Sequence, residues 1–320
     1  MQQLVNKIFT LSGFQELSRL LNDHKQIHVS GLNGSFRAFL ALYLMQTQHQ
    51  PVLYIAADQD SAERIRDDLE LIADGRPIGF IPPLEFEPYD NSEPNPSLLS
   101  LRMEALQMIL EYDQWLIIAT PQGLMESFPQ QEDFLDEQIY LKCGMQVSFE
   151  MLVIHLGRIG FERTDNVEQV GQFSVRGGII DVFTWNASDP FRIEFFGDEV
   201  ESLRSFDVLS QRSVKQMEEV TILPNLQSAE QRVFIDQILP ESAILFCEDS
   251  QLLIQNGEKF FEQTVHRYNE LKEKDGDVPL PEDKYFSIQN LAKMLTTKTL
   301  VESNLIADNS IDTVYFGVHP

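Results

Sequence analysis

The pattern of apolar and polar residues changes near residue 128. Before it, short apolar runs alternate with helix-like segments, which is typical of a parallel sheet covered by helices. We predict strands over 27–29, 51–56, 77–81 and 115–119, and helices over 36–44, 60–73 and 98–111. Asp60 or Ser61 is expected to cap the helix over 60–73, and the proline-rich segment 82–97 to form a loop. This part of the chain is predicted to be an α/β unit.

After residue 128 the pattern favours a small α+β domain. Ser148 is expected to begin a helix that ends at Gly160. Residues 173–183 and 191–196 are rich in Val, Ile and Phe and are predicted to be antiparallel strands, because the segment 184–190 between them has the composition of a turn.

Beyond residue 214 the pattern is weaker but again fits an α/β portion. We predict strands over 220–223, 243–247 and 313–318, and helices over 250–273 and 287–294. The highly charged segment 269–284 contains two prolines and is expected to be a solvated loop.

Composition and charge narrow the possible functions. The chain has 320 residues and a net charge of -26, from 24 Lys and Arg against 50 Asp and Glu. Because affinity for duplex DNA depends on cationic side chains, this balance argues against autonomous DNA binding. Cys143 and Cys247 lie far apart and in no metal-binding spacing, which fits a reducing cytoplasm and argues against a zinc site. The absence of long apolar runs argues against a membrane partner.

The segment 28–44, HVSGLNGSFRAFLALYL, resembles a phosphate-binding loop without its chemistry. On the pattern G-x-x-x-x-G-K-[ST], Gly31 takes the first glycine, and Gly34 and Ser35 are inner positions. The second glycine is replaced by Phe36, the lysine by Arg37 and the hydroxyl residue by Ala38, so metal-assisted phosphoryl transfer lacks essential parts. We favour a strand-to-helix turn kept for packing, although the helix N-terminus can still attract an anion.

Other patterns of catalytic residues are weaker. The 6 histidines are expected to form no i, i+4 pair with a carboxylate, and we predict no catalytic constellation and no metal site. The chain is therefore more easily explained as a binding module than as an enzyme.

The segment 171–213, GQFSVRGGIIDVFTWNASDPFRIEFFGDEVESLRSFDVLSQRS, resembles a module shared by the excision-repair protein UvrB and the transcription-repair coupling factors. The resemblance rests on R-G-G-I-I-D-V-F, R-I-E-F-F-G-D-E and the closing F-D…S-Q-R-S, and extends over roughly residues 20–225. Two features favour the coupling factors over UvrB. The glycine loop lacks the Walker lysine that UvrB keeps, and the segment 85–106 is too short for UvrB's DNA-clamping hairpin.

The resemblance implies an N-terminal UvrB-like module. Its degenerate P-loop α/β domain, with a parallel sheet, would be formed by both chain ends, 1–127 and 214–320, and the inserted α+β domain 128–213 would bind UvrA.

In the family, the full-length protein recognises stalled RNA polymerase and moves along DNA as an ATP-driven translocase. The implied partners are UvrA, the C-terminal domains of the same protein and, through the rest of that protein, RNA polymerase and DNA. No cofactor is expected for this module, because ATP and Mg²⁺ serve the translocase part. The chain's ending favours a fragment of such a protein.

Candidate contact residues follow from the resemblance and from the strand pattern. Side chains alternate along a strand, so we expect core positions at Phe191, Ile193 and Phe195 and solvent-facing positions at Arg192, Glu194 and Phe196. By position in the motif, the UvrA-contacting residues of the family fall at Arg163, Arg176, Glu194 and Phe195 or Phe196, while a further UvrB arginine is replaced by Ser174.

Among these candidates, Arg176 is the preferred anchor, because its planar guanidinium can bind a carboxylate with two parallel hydrogen bonds. The alternatives are a solvated Arg192–Glu194 pair, a Phe196 that belongs to a domain interface, and an Arg163 that is an ordinary helix-end cation. A different function is also left open, that of a UvrB-like or atypical P-loop ATPase or helicase subunit that binds damaged DNA.

Overall fold

The computed structural model describes residues 2–32, 34–84, 87–89, 95–225, 232–275, 278–303 and 313–316. The chain divides into two compact units. The first unit comprises Met1–Ser92, Ala105–Ser127 and Phe234–Pro320, and the second comprises Glu93–Glu104 and Phe128–Val233. Residues 85–86 and 90–94 of the segment 85–106, and residues 317–318 of the predicted last strand, lie outside the described residues.

The first unit contains a parallel sheet of 7 strands. Its strands are β1 (Gln26–Ser30), β2 (Val52–Ile55), β3 (Ile78–Ile81), β4 (Leu116–Ala119), β15 (Ile244–Cys247), β16 (Thr299–Glu302) and β17 (Thr313–Tyr315), in the order β17-β1-β16-β15-β2-β4-β3. The sheet confirms the predicted α/β class and draws strands from both the early and the late part of the chain.

Helices accompany these strands in the first unit. They are α1 (Gln2–Ile8), α2 (Ser12–Asp23), α3 (Phe36–Gln48), α4 (Gln59–Ile72), α6 (Pro121–Met125), α9 (Ile235–Ile238), α10 (Ser250–Asp275), α11 (Pro281–Lys284) and α12 (Ile288–Thr297), and α5 (Pro96–Glu111) has residues in both units. Every residue of β2, β4 and β15 is buried, as expected of strands covered on both faces. This explains why they appear in the sequence as continuous apolar runs.

Two local predictions in the first unit were wrong. The N-cap of α4 is neither Asp60 nor Ser61 but Asp58, whose Oδ1 accepts a hydrogen bond from the Ser61 amide at 2.7 Å. The segment 269–284 is not simply a loop, since α10 continues to Asp275 and α11 begins at Pro281. Its Glu, Leu and Lys residues are strong helix formers, and proline is well suited to the first position of a helix.

The second unit contains a mixed sheet of 6 strands in the order β12-β11-β10-β9-β8-β7. Its strands are β7 (Glu162–Arg163), β8 (Gln172–Arg176), β9 (Ile179–Val182), β10 (Phe191–Phe196), β11 (Glu199–Phe206) and β12 (Ser213–Met217), all antiparallel except the β7–β8 pair. Beside it, β6 (Ile139–Lys142) pairs with β13 (Glu219–Ile222), and β5 (Phe128–Pro129) with β14 (Arg232–Val233).

Besides its part of α5, the second unit contains the helices α7 (Gln131–Asp136) and α8 (Phe149–Arg158). The N-cap predicted at Ser148 is confirmed, since its hydroxyl accepts a hydrogen bond from the Met151 amide at 3.4 Å. Gly160 follows the end of α8 with a φ of 92°, which glycine adopts without strain.

The segment 173–183 is not one strand, as predicted, but a hairpin. β8 and β9 pair with Arg176 opposite Ile179, and Gly177 and Gly178 form the turn between them. Gly177 has a φ of 60°, and a Cβ added at Gly178 would lie 2.9 Å from the carbonyl oxygen of Phe195. Both glycines are needed for backbone reasons, because a side chain at either position would be strained or crowded.

Two further searches cover only the residues that the structure describes. None of their helices is both long and apolar enough to cross a bilayer. They contain no group of three or more His, Cys, Asp or Glu side chains arranged to hold a metal ion.

Candidate functional site

Strand β10 carries four of the candidate contact residues, Arg192, Glu194, Phe195 and Phe196, on alternating sides. Phe191, Ile193 and Phe195 are buried, whereas Phe196 is 78% exposed and the two polar positions between them are partly exposed. The predicted alternation of core and solvent positions is therefore confirmed. We call the side of the mixed sheet that carries Arg192 and Glu194 the polar face.

The polar face has a buried carboxylate at its centre. Asp181 on β9 lies opposite Arg192 on β10, and its side chain is only 1% exposed. Its Oδ1 accepts a hydrogen bond from Arg192 Nε at 2.6 Å, and its Oδ2 accepts from Arg192 Nη2 at 2.8 Å and from Arg176 Nη2 at 2.5 Å. Two guanidinium groups thus neutralise one carboxylate that has almost no contact with water.

The two arginines differ in how they are held. The Arg192 guanidinium stacks on the Phe206 ring, with its Cζ 4.4 Å from the ring centroid, and also donates to Gln211. Its side chain is 14% exposed, and hydrogen bonds to Asp181 raise the pKa of Arg192. The side chain of Arg176 is 47% exposed, so it still offers part of its guanidinium to solvent.

Glu194 and Arg192 do not pair with each other as one alternative suggested. Glu194 accepts hydrogen bonds from Ser202 Oγ at 2.6 Å and from Arg204 Nη2 at 2.5 Å, both on β11. Charges of opposite sign are therefore interleaved across three neighbouring strands, which fixes their positions relative to one another.

The remaining candidates lie in different environments. Phe195 belongs to the core, where its ring packs edge-on against Phe149 with centroids 5.2 Å apart. Arg163 on β7 is exposed and pairs in register with Phe173 on β8, so the two side chains lie on the same side of the sheet. The side chain of Phe173 is buried on the side opposite to Arg176, because the two residues are an odd number of positions apart on β8. The structure therefore groups Arg176 with the charged residues of β10 and separates Arg163 from them.

Asp181 and Arg204 were missed as site residues. Had residues 173–183 formed one strand, Arg176 and Asp181 would have pointed to opposite faces, because they are an odd number of positions apart. The turn at Gly177 and Gly178 reverses the chain and places both on one face. A glycine pair between apolar runs was the available signal for this hairpin.

The glycine loop of the first unit lies between β1 and α3. Gly31 and Gly34 have positive φ values of 77° and 55°, and Ser35 is exposed and makes no side-chain cap to α3. Ala38 is fully buried, and its methyl side chain has no oxygen that could bind a metal ion. The ring of Phe36 belongs to an aromatic cluster with Phe14, Phe39 and Phe316, at centroid distances of 5.9, 6.3 and 6.0 Å.

Arg37 faces a carboxylate of the protein itself. Its Nη1 lies 3.8 Å from Oε1 of Glu248, whose side chain is 5% exposed and follows β15. Glu248 also accepts hydrogen bonds from Tyr54 Oη at 2.5 Å, Ser61 Oγ at 2.6 Å and the Ala57 amide at 3.0 Å. Burial, together with Glu248, raises the pKa of Tyr54 well above its ordinary value. An internal anion thus lies at the carboxyl ends of the parallel strands, the edge where α/β sheets usually bind ligands.

The histidines add no further site. The expectation that none has a carboxylate one turn away was wrong, since His266 Nδ1 lies 3.6 Å from Glu270 Oε1 on α10, although both side chains are exposed. His155 Nε2 lies 3.8 Å from Glu137 Oε2 and 3.2 Å from Arg158 Nη2. Partial burial and the neighbouring Arg158 charge lower the pKa of His155.

Comparison with known proteins adds independent evidence. Residues 139–227 match the UvrB interaction domain, and this range includes every candidate contact residue. The chain is 28% identical over 200 residues to the transcription-repair-coupling factor of Bacillus subtilis, which covers 62% of this chain and 17% of the relative. It is 28% identical over 295 residues to that of Staphylococcus aureus strain USA300, covering 90% of this chain and 24% of the relative.

The chain therefore spans about a quarter, or less, of the length of these relatives, which also include the transcription-repair-coupling factor of Escherichia coli at 28% identity over 60% of this chain. The resemblance found in the sequence is confirmed: residues 139–227 match the UvrB interaction domain, and the chain is similar to the transcription-repair coupling factors over most of its length.

Proposed function

We propose that this chain is the module of a transcription-repair coupling factor that recruits UvrA to stalled RNA polymerase for nucleotide excision repair. The observation that carries the proposal is the polar face, within the UvrB interaction domain, with Arg176 half exposed beside a buried carboxylate. An exposed aromatic ring, that of Phe196, lies at the end of the same strand as Arg192 and Glu194. Arginine and aromatic anchors of this kind dominate the energetics of many protein interfaces.

The charge of the polar face supports a carboxylate-rich contact surface on UvrA. Three guanidinium groups, those of Arg176, Arg192 and Arg204, are paired with two carboxylates, those of Asp181 and Glu194. Within this hydrogen-bonded cluster the charges therefore leave one guanidinium in excess, on a chain whose net charge is -26. Such a local reversal of sign gives an acidic partner a preferred place and orientation of contact.

The α/β portion is proposed to be a scaffold that performs no catalysis and uses no cofactor. Phosphoryl transfer by a P-loop needs a cation directed at phosphate and an oxygen ligand for Mg²⁺. Here Arg37 faces Glu248, and a buried methyl group stands at Ala38. These contacts favour the scaffold over an atypical P-loop ATPase or a UvrB-like subunit that binds damaged DNA.

The remaining functions are assigned to the rest of the protein. We propose that contacts with RNA polymerase and DNA, and ATP-driven translocation, belong to its other parts, and that its C-terminal domains also bind this module. Cys143 and Cys247 are free thiols, as a reducing compartment favours, and we propose a cytoplasmic location. The inserted domain 128–213 is the proposed site of UvrA binding.

Calorimetry with purified UvrA tests the proposal. The unsubstituted chain is expected to bind, and Arg176→Ala to weaken binding about tenfold or more, since it removes an anchor of the interface. Arg267→Ala is a matched control, because Arg267 is 43% exposed and also pairs with a carboxylate, but lies on α10. A folded chain that does not bind UvrA would refute the recruitment role.

A further inference from the structure

Asp181 is the most enclosed charged group of the polar face, and it touches both arginines of its cluster. We propose that Asp181 is a positioning residue, which holds the Arg176 guanidinium ready for a carboxylate of the partner, while Arg192 fixes Asp181 and does not itself contact the partner. This inference rests on the proposed function and assigns different roles to residues of one face.

The contacts of Arg192 assign it to the support of Asp181. Its Nε and Nη2 both donate to Asp181, so the two groups form a bidentate pair. One side of its guanidinium lies on Phe206, and Nη2 also donates to Gln211. With 14% of its side chain exposed, Arg192 has little surface left for a partner.

The contacts of Arg176 leave it available. Nη2 donates to Asp181 and Nη1 to Asn166 at 3.4 Å, and these are its partners among the residues that the structure describes. A guanidinium has five N–H donors, so others remain on a side chain that is 47% exposed. Because Asp181 holds the group in place beforehand, binding costs less side-chain entropy than it would for a free arginine.

Positioning and charge have opposite effects on the kinetics of binding. Asp181 is negative, so its removal makes the face more cationic and can only favour the approach of an acidic partner. If Asp181 positions Arg176, its removal also loosens the anchor, which shortens the lifetime of the complex. The rate constants therefore separate these effects, whereas an affinity alone would mix them.

The test is surface plasmon resonance of the 320-residue chain with UvrA, comparing the unsubstituted chain with Asp181→Asn. Asparagine keeps the shape of the side chain but loses its charge. We expect the dissociation rate to rise about fivefold and the association rate to stay equal or rise, as for a truncated anchor of a charged interface. Loss of folded protein would lower the binding amplitude and leave the dissociation rate unchanged.

A double substitution makes the assignment specific. In an Arg176→Ala background, Asp181→Asn should not change the dissociation rate further, because the group that it positions is already absent. Glu219→Gln, which removes a carboxylate from β13 elsewhere in the second unit, is the control and should leave both rate constants unchanged. If Asp181→Asn does not fold, Arg192→Lys replaces it, since lysine keeps the charge but not the bidentate grip on Asp181.

The outcomes distinguish the positioning role from the proposed function. Binding with a dissociation rate that neither Asp181→Asn nor Arg192→Lys changes overturns the positioning role and leaves the proposed function intact. Additive effects of Asp181→Asn and Arg176→Ala also overturn it. Failure of the folded, unsubstituted chain to bind UvrA overturns the proposed function, and the positioning role with it.

Discussion

Both units contain an arginine beside a buried carboxylate, but the two clusters leave different groups exposed. In the first unit the Glu248 carboxylate accepts hydrogen bonds from two hydroxyl groups and an amide, and Arg37 Nη1 lies 3.8 Å from its Oε1. In the second unit Asp181 is bound by two guanidinium groups at hydrogen-bond distance. Because a buried carboxylate must be compensated, the second cluster uses Arg192 for compensation and keeps Arg176 accessible.

The comparison shows that the presence of an arginine in a motif does not decide whether it is available to a ligand. The sequence pattern predicts that Arg37 takes the place of a phosphate-binding lysine, yet Arg37 faces a carboxylate of the protein itself. Arg176 also pairs with an internal anion, but Arg192 donates two of the three side-chain hydrogen bonds that the structure gives to that anion. Availability therefore depends on what else binds the same carboxylate.

The largest expected effect concerns Glu248. Glu248→Ala should lower the free energy of unfolding of the first unit by about 3–5 kcal/mol, because Tyr54, Ser61 and Arg37 lose a buried partner. Urea denaturation followed by tryptophan fluorescence measures it. Trp115 lies in the first unit and Trp185 in the second, so a Trp185→Phe background reports the first unit alone.

Glu63→Ala provides the control for this substitution, since Glu63 lies on α4 with an exposed side chain. Its effect should stay within about 0.5 kcal/mol, as for other surface substitutions. Equal losses in the two variants would contradict the view that Glu248 is a structural anion of the scaffold.

The second prediction compares the two arginines of the polar face. Arg192→Ala should lower the free energy of unfolding of the second unit by about 3 kcal/mol, because it leaves the buried Asp181 with one partner fewer. Arg176→Ala should cost less than about 1 kcal/mol, since that arginine is half exposed and solvent screens its charge. Trp185 fluorescence in a Trp115→Phe background follows the second unit.

The binding results should show the reverse order. Arg176→Ala is the less destabilising substitution, but it removes the proposed contact itself. If Arg192→Ala proves no more destabilising than Arg176→Ala, the distinction between support and contact in this cluster is wrong.

The third prediction concerns pH. Burial and Glu248 raise the pKa of Tyr54 in the folded chain, so at alkaline pH the unfolded chain loses this proton first. The stability that Tyr54 contributes is thus fully present below its unfolded pKa of about 10 and is lost as pH rises above it, by up to about 1.4 kcal/mol per pH unit.

Urea denaturation between pH 8 and pH 11 measures this dependence. In Tyr54→Phe the corresponding part of the slope should be absent, because phenylalanine has no proton to lose. Identical slopes in the unsubstituted chain and in Tyr54→Phe would show that Tyr54 does not retain its proton beside Glu248.

Much of the fold was predictable because buried parallel strands are short, continuous apolar runs. The predicted segments 51–56, 115–119 and 243–247 contain β2, β4 and β15, whose residues are all buried. The errors came from signals that fit two structures. Asp58 and Asp60 are both capping residue types, and the charged residues of 269–275 favour either a loop or the end of a helix.

The sites were less predictable, because they depend on contacts between distant residues. Alternation along β10 was sufficient to assign its faces. The pairing of Arg37 with Glu248 joins residues from opposite ends of the chain, and no local pattern indicates it. Asp181 was missed for a local reason, the turn at Gly177 and Gly178.

The smallest expected effect is that of nucleotide on the first unit. ATP with Mg²⁺ should not raise the melting temperature of the chain, because Arg37 already faces Glu248, Phe36 packs among aromatic rings and Ala38 offers no ligand. A ligand at a hundred times its dissociation constant would stabilise the folded state by about 2.7 kcal/mol. In a chain of this size such a gain would raise the melting temperature by several degrees, so differential scanning fluorimetry can detect it. A rise of that size, abolished by Arg37→Ala but not by Arg267→Ala, would show that the loop is a working nucleotide site and that the two clusters are both open to ligands.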